Sequence, residues 1–277
     1  MPDVRLRAAD YPLPAAEGCA MILCIDIGNT NTVAGLFVGE TMVDHWRLHT
    51  DRYRTSDETR LWLRSLLQME GHDPDGLDGV ALSSVVPAVT ARFRQVGDRL
   101  TDGRVVVVEP GVKTGMSILI DNPREVGADR VVNAVAARER YGAPVIVVDF
   151  GTSTNFDVVG SDGAYLGGAI APGLIVATEA LTARAAALRN VEFFPPRSPI
   201  GKGTVEAIQS GALYGHAGLV DGIMDRLASE IGGEVGRVAT GGLASTIVPH
   251  CRSVETIDEF LTLDGLRMIY EMNRNDR

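Results

Sequence analysis

The sequence is short of cysteine, of basic charge and of long apolar runs, and each shortage removes a class of protein. Its three cysteines, Cys19, Cys24 and Cys251, are odd in number and form no C-x-x-C pair. That argues against a disulfide framework and against a zinc site, and a reducing cytoplasm suits such a chain. Acidic residues outnumber basic ones, 36 to 26, for a net charge of −10. A nucleic-acid partner, which needs a basic face, is therefore not expected. No apolar run approaches the roughly 18–20 residues of a membrane span. The first twenty residues lack the apolar centre of a signal peptide. They read as a mobile extension or a product of start-site choice, with the fold opening at Met21. The five histidines show no paired metal spacing, and no nucleophile elbow accompanies them. Lys202-Gly203-Thr204 lacks the full P-loop order, so Thr204 reads more simply as a helix N-cap.

What is present is a chain of 277 residues, 45% of them hydrophobic, enough for one large domain or two compact halves. Strands and helices succeed one another. Met21–Ile25 is an apolar strand that ends at Asp26 and returns as VAGLFV. Thr55 and Glu58 have capping-box spacing ahead of a helix. Further strands are expected near Val80–Val86, Arg104–Glu109 and Val235–Thr240. Helices are expected at Ala88–Leu100, Asp129–Tyr141, Leu174–Arg189, Leu263–Asn273 and, interrupted by glycines, Thr204–Ile231. This order indicates an α/β protein.

One internal repeat stands out. DIGNTNTVAGLF from Asp26 and DFGTSTNFDVVG from Asp149 begin 123 positions apart. Each follows an apolar strand and leads into a returning one, which suggests two homologous halves. Glycine after a strand lets a phosphate approach the backbone, and Thr, Ser and Asn add short donors, so each turn can cradle an anion. A carboxylate beside a phosphate makes sense only with a cation between them, which makes Asp26 and Asp149 candidate metal positions for Mg2+ or a similar ion. Gly241-Gly242 after a strand offers bare backbone to an adenosine ring. A single such turn would be an ordinary polar β-turn; the matched pair points to ATP.

With these motifs in view, the chain resembles the actin, Hsp70 and sugar kinase superfamily. DNPREVGADRVVNAVAA from Asp121, DFGTSTNFDVV and GGAIAPGL from Gly167, with DIGNTNT and SSVVP, resemble the type III pantothenate kinase family. The resemblance runs from Met21 to about Asn273. It implies duplicated ribonuclease H-like (actin-like ATPase) halves, at 21–142 and 143–277, with mixed sheets flanked by helices. It further implies a cytoplasmic homodimer that uses ATP and Mg2+, with K+ or NH4+, to make 4′-phosphopantothenate for coenzyme A synthesis.

By the same resemblance, Asp26, Ile27, Gly28, Asn29, Thr30, Asn31, Thr32 and Val33 form the first phosphate loop, and Thr152 contacts ATP. Asp149 holds the monovalent cation. Gly127, Ala128, Asp129, Arg130 and Thr204 bind pantothenate, with Asp129 as general base. Two positions depart from the family pattern: Ile120 stands where an aromatic is usual, and Asn155 where the second loop often has threonine. Read from chemistry alone, Asp129 also suits a helix N-terminus offsetting the macrodipole. Arg130 suits the pantothenate carboxylate, the phosphoryl group or a surface ion pair with Glu125 or Asp121. Another small-molecule kinase or a nucleotide-dependent ATPase of the same superfamily is the alternative reading.

Overall fold

The computed structural model describes residues 5–6, 19–184 and 193–274. In chain order the strands are β1 (Arg5–Leu6), β2 (Met21–Ile27), β3 (Asn31–Val38), β4 (Thr41–His49), β5 (Gly79–Ser84), β6 (Val105–Val107), β7 (Val145–Phe150), β8 (Ser153–Val159), β9 (Tyr165–Pro172), β10 (Gly236–Thr240) and β11 (Thr256–Ile257). The helices are α1 (Ser56–Met69), α2 (Pro87–Leu100), α3 (Ala128–Tyr141), α4 (Leu174–Arg184), α5 (Thr204–Ile231), α6 (Ala244–Ile247) and α7 (Leu261–Asn273). The last residues expected in α4, 185–189, lie outside the described residues, as does nearly all of the expected N-terminal extension. Within that extension, Arg5–Leu6 pairs parallel with Thr256–Ile257.

Two mixed sheets carry the fold, and they share one topology. The first has the order β4-β3-β2-β5-β6. The second, read from its opposite edge, has the order β9-β8-β7-β10-β11, with β1 added outside. In each, a three-strand antiparallel meander is joined through its first strand to parallel strands. The central strands β2 and β7 are almost wholly apolar up to their aspartates because they are covered on both faces. The internal repeat of the sequence is thus a repeat of whole sheets. The third strand of each meander, β4 and β9, is the element the sequence reading lacked. β4 breaks its alternation where Met42-Val43 is followed by Asp44-His45, and β9 is half Gly and Ala, so neither carries a strong strand signal.

Contacts gather the described residues into two units. One holds the five-stranded sheet and comprises the described part of Ala9–Met116, Asp121–Ala136 and the chain from Leu261. Its helix α2 begins at Pro87, whose fixed φ and missing N–H suit the first helical position. Val89, Phe93, Val96 and Leu100 recur on one face of α2 and enter the core with Leu23, Ile25, Leu36 and Leu82. The capping box at Thr55 and Glu58 forms as expected at the start of α1. Helix α7, last in sequence, packs on β2 and β5 of this unit, so the units interleave along the chain rather than meeting at one cut near residue 142.

The other unit holds the six-stranded sheet and comprises Ser117–Ile120, Ala137–Phe260 and the described residues of the N-terminus. Its core is built from Ile146, Val148, Phe150 and Phe156 of the sheet and from Leu213, Ala217, Val220 and Met224 of α5. The interruptions expected in α5 do not occur; the helix runs unbroken through its glycines because this apolar stripe docks it along its length. The N-cap is Gly203, not Thr204. Thr204 is the first residue of the helix, and no side chain caps it.

Candidate active site

The first Asp-x-Gly loop, the candidate first phosphate loop, closes the β2–β3 hairpin. Ile27 pairs with Thr32, leaving Gly28–Asn31 as the turn, and Gly28 N–H donates to Asn31 O at 3.0 Å. Asn29, Thr30 and Asn31 are exposed, Asp26 and Val33 half-buried, and Thr32 buried. The loop is held from β4's far end. Thr50, itself buried, donates its hydroxyl to Gly28 O at 2.8 Å and its N–H to Thr30 O at 2.9 Å. Its hydroxyl oxygen also lies 3.0 Å from that of Thr32. Because the Thr50 proton goes to Gly28, Thr32 is the donor in that pair.

Asp129 stands in the first turn of α3, in the same unit. The preceding segment is a tight 3-10 turn, Pro123–Glu125, in which Asn122 accepts from Arg124 N–H and donates to Glu125. Arg130 N–H donates both to Gly127 O at 3.1 Å and to Asp129 Oδ1 at 2.9 Å. A methyl group at Gly127 would lie 2.5 Å from Asp129 Oδ1, so glycine leaves the room the carboxylate occupies. Burial pushes the Asp129 carboxyl above its ordinary value, while the Arg130 amide and guanidinium oppose the shift. A half-buried carboxylate with a raised pKa is the kind of group that serves as an acid or base. The helix-dipole reading of Asp129 fits its place in the first turn of α3, where an acidic residue is favourable.

The second Asp-x-Gly loop, the candidate second phosphate loop, closes the β7–β8 hairpin in the other unit. Phe150 pairs with Thr154, leaving Gly151–Ser153 as the turn, and Asp149 faces Asn155 across the hairpin. Gly151 N–H donates to Ser153 O at 3.0 Å, and Gly173 N–H donates to Thr152 O at 3.1 Å. Thr152 is exposed, while Thr154 is buried and shares a 2.8 Å hydrogen bond with His216 of α5. Burial holds the His216 imidazole below its ordinary pKa. Asn155 accepts from Ser153 Oγ at 2.9 Å, so the departure from threonine gives the loop an internal bond. The Thr240-Gly241 step lies beside Asp149: Thr240 is its parallel partner. Gly241 has φ +91°, and a Cβ there would come 2.4 Å from Asp149 Oδ1. Only glycine tolerates both the dihedral and the approach.

Thr204 is exposed and lines a cavity of about 520 Å3 between α4 and α5, with Leu174, Thr178, Leu181, Gly211 and His216. Ile120, the other departure, packs toward Gly167 of β9, where an added Cβ would meet it at 3.4 Å. Among the described residues no group of three or more His, Cys, Asp or Glu gathers as a metal cage, and no helix is long and apolar enough to cross a membrane. The sequence reading missed Thr50, Gly173 and the bond made by His216. HTDRYRTSDE, between β4 and α1, offered only its capping box as a signal.

Two mixed sheets, each with an Asp-x-Gly turn at the end of its central strand, define a duplicated ribonuclease H-like (actin-like ATPase) fold. The same fold appears in component A of the (R)-2-hydroxyglutaryl-CoA dehydratase of Acidaminococcus fermentans. That structure aligns with a TM-score of 0.54 at 14% identity, covering 91% of this chain and 97% of its own. The sequence profile for type III pantothenate kinase matches residues 22–226. A type III pantothenate kinase from Acidothermus cellulolyticus is 52% identical over 254 residues, covering 91% of this chain and 99% of its own length. One from Anaeromyxobacter sp. (strain Fw109-5) is 53% identical over 254 residues, covering 92% and 100%. This chain belongs to the type III pantothenate kinase family.

Proposed function

We propose that this protein transfers the terminal phosphoryl group of ATP to the primary hydroxyl of pantothenate, giving 4′-phosphopantothenate and ADP in the cytoplasm, the first step of coenzyme A biosynthesis. Asp129 carries the reading. It is a half-buried carboxylate at a helix start, with its pKa raised by burial and its Oδ1 oriented by the next residue's N–H. In phosphoryl transfer the protein mainly positions groups and stabilises charge. Asp129 orients the pantothenate hydroxyl and accepts its proton as the new P–O bond forms. Gly127, Ala128, Arg130 and Thr204 bind the rest of pantothenate, and the Arg130 guanidinium suits its carboxylate. Asp26 to Val33 and Thr152 hold the ATP phosphates through backbone N–H groups and short hydroxyl and amide side chains.

Asp149 would hold K+ or NH4+. The support is the space kept clear by Gly241, which any other residue would fill at 2.4 Å from Oδ1. Asp26 would help to hold Mg2+ where the polyphosphate binds, since Mg2+ takes one or two carboxylates together with phosphate oxygens. These cations supply charge neutralisation for the polyphosphate. The exposed apolar side chains Val176, Leu181 and Val205 on α4 and α5 support a homodimer that covers this face.

ADP release from the purified protein with ATP, Mg2+ and K+ should depend on added pantothenate. Equal release without it would make the chain an ATPase instead. Asp129→Asn should lower kcat by roughly 10²- to 10⁴-fold and leave thermal stability equal or higher. The stability sign follows from the raised pKa: the folded state favours the protonated form, so above that pKa the ionised carboxylate costs stability that asparagine removes. In the parent enzyme kcat/KM should fall on the acid side at a pH above the ordinary aspartate value of 3.8. Near-normal turnover of the variant would end the base assignment.

A further inference from the structure

The first phosphate loop has a cation beside it. Arg52 donates from Nη2 to Asn29 Oδ1 of the loop at 3.2 Å, and its side chain is exposed. Its backbone is fixed on both sides. Two residues earlier, Thr50 is bonded to Gly28 O and Thr30 O. From α2, Arg92 donates to the carbonyl oxygens of Arg52, Arg54 and Ala88. The neighbouring charges are committed elsewhere. The Asp51 carboxylate accepts from Tyr53 N–H at 2.8 Å and Arg54 N–H at 3.3 Å. The Tyr53 amide foremost, with that of Arg54, holds the carboxyl below its ordinary pKa. The Arg54 guanidinium lies 4.9 Å from the centre of the Trp62 ring. Of the two arginines in this segment, one packs on the protein and the other reaches the loop.

We propose that Arg52 is a ligand of the terminal phosphate of ATP, exchanging Asn29 Oδ1 for a phosphate oxygen when nucleotide enters. The inference rests on the assignment of this loop to ATP. Asp26 puts negative charge at the strand end where a polyphosphate must approach, and a guanidinium offsets it without a change of protonation. The bond to Asn29 uses one of five N–H donors, and the fork matches a phosphate group. The terminal phosphate is the expected target because this loop and Asp129 belong to the same unit, and Asp129 serves the acceptor of that phosphate.

Isothermal calorimetry of ATP and ADP, each with Mg2+, on Arg52→Gln, Arg52→Lys and Arg54→Gln tests this without turnover. Arg52→Gln should weaken ATP by roughly 10- to 100-fold, the scale of a lost charged hydrogen bond, and ADP by several-fold less. Lysine should restore part of the loss, as a point charge in place of a fork. Arg54→Gln should leave the ATP-to-ADP affinity ratio unchanged. If Arg52→Gln weakens both nucleotides equally, Arg52 only braces the loop, and the proposal is overturned. Unchanged affinities overturn it too. Failure of the parent protein to bind ATP would instead refute the nucleotide assignment itself.

Discussion

The two Asp-x-Gly loops hold the same hairpin turn by different means. In each, the residue opposite the apolar position of Asp-x-Gly is a buried threonine, Thr32 facing Ile27 and Thr154 facing Phe150. In each, that threonine is bonded to a side chain outside the hairpin. For Thr32 the partner is Thr50, just past the neighbouring strand. For Thr154 it is His216, from a helix 62 residues further along the chain. The turns differ as well: Gly28–Asn31 is one residue longer than Gly151–Ser153. The second turn is also the more crowded. Gly173 and Gly241 press against it so closely that added Cβ atoms would lie 2.4 Å from Thr152 O and from Asp149 Oδ1. A duplicated element thus keeps its buried anchor and its glycine turn while the surroundings diverge, leaving the second loop hemmed in by Gly173 and Gly241 and the first with three exposed polar residues in a row.

The most damaging way to test this contrast is to add one methyl group to each half. Gly241→Ala forces a positive φ on alanine and drives Cβ to within 2.6 Å of Phe150 N as well as onto Asp149. We expect a loss of about 3 kcal/mol in chemical denaturation. Gly28→Ala meets only Asn31 O at 3.0 Å, without a positive φ, and should cost well under half as much. Equal losses would mean that the crowding of the second loop has no energetic weight.

The anchors should differ by less. Thr154→Val leaves a buried His216 nitrogen without this partner and should cost roughly 1–3 kcal/mol. Thr32→Val leaves Thr50 still bonded to Gly28 O and should cost about 1 kcal/mol or less. Denaturant midpoints of the two variants, measured side by side, decide the order.

The smallest effect is in pH. Only the second anchor contains a titratable group, and burial depresses the His216 pKa below 6.5. The unfolded chain therefore binds a proton that the folded chain refuses. This stabilising contribution is complete above pH 6.5 and is lost as pH falls from there toward the depressed folded value. His216→Gln should flatten that segment of the stability–pH curve, and an unchanged slope would place the dependence elsewhere.

Much of this was legible in the residues. The Asp-x-Gly pair, the apolar strands before it and the capping box at Thr55 are local signals, fixed by backbone sterics and near-neighbour hydrogen bonds. The strands β4 and β9 were not legible, since their pairing depends on edges supplied by β3 and β8 rather than on their own propensity. Thr50 and His216 were invisible for a related reason: a threonine in a polar stretch and a histidine on an apolar helix carry no sign of what they will meet.

The sequence by itself determined that there are two matched Asp-x-Gly turns, each opening on the aspartate of an apolar strand, and which family the chain belongs to. Those are properties of contiguous segments. Only the tertiary structure decided that the turns are anchored unequally, that α7 returns from the end of the chain to the first sheet, and that Arg52 rather than Arg54 reaches the first loop. Each of these depends on contacts between residues far apart in the chain, where packing and hydrogen-bond satisfaction choose among partners that sequence spacing leaves equivalent.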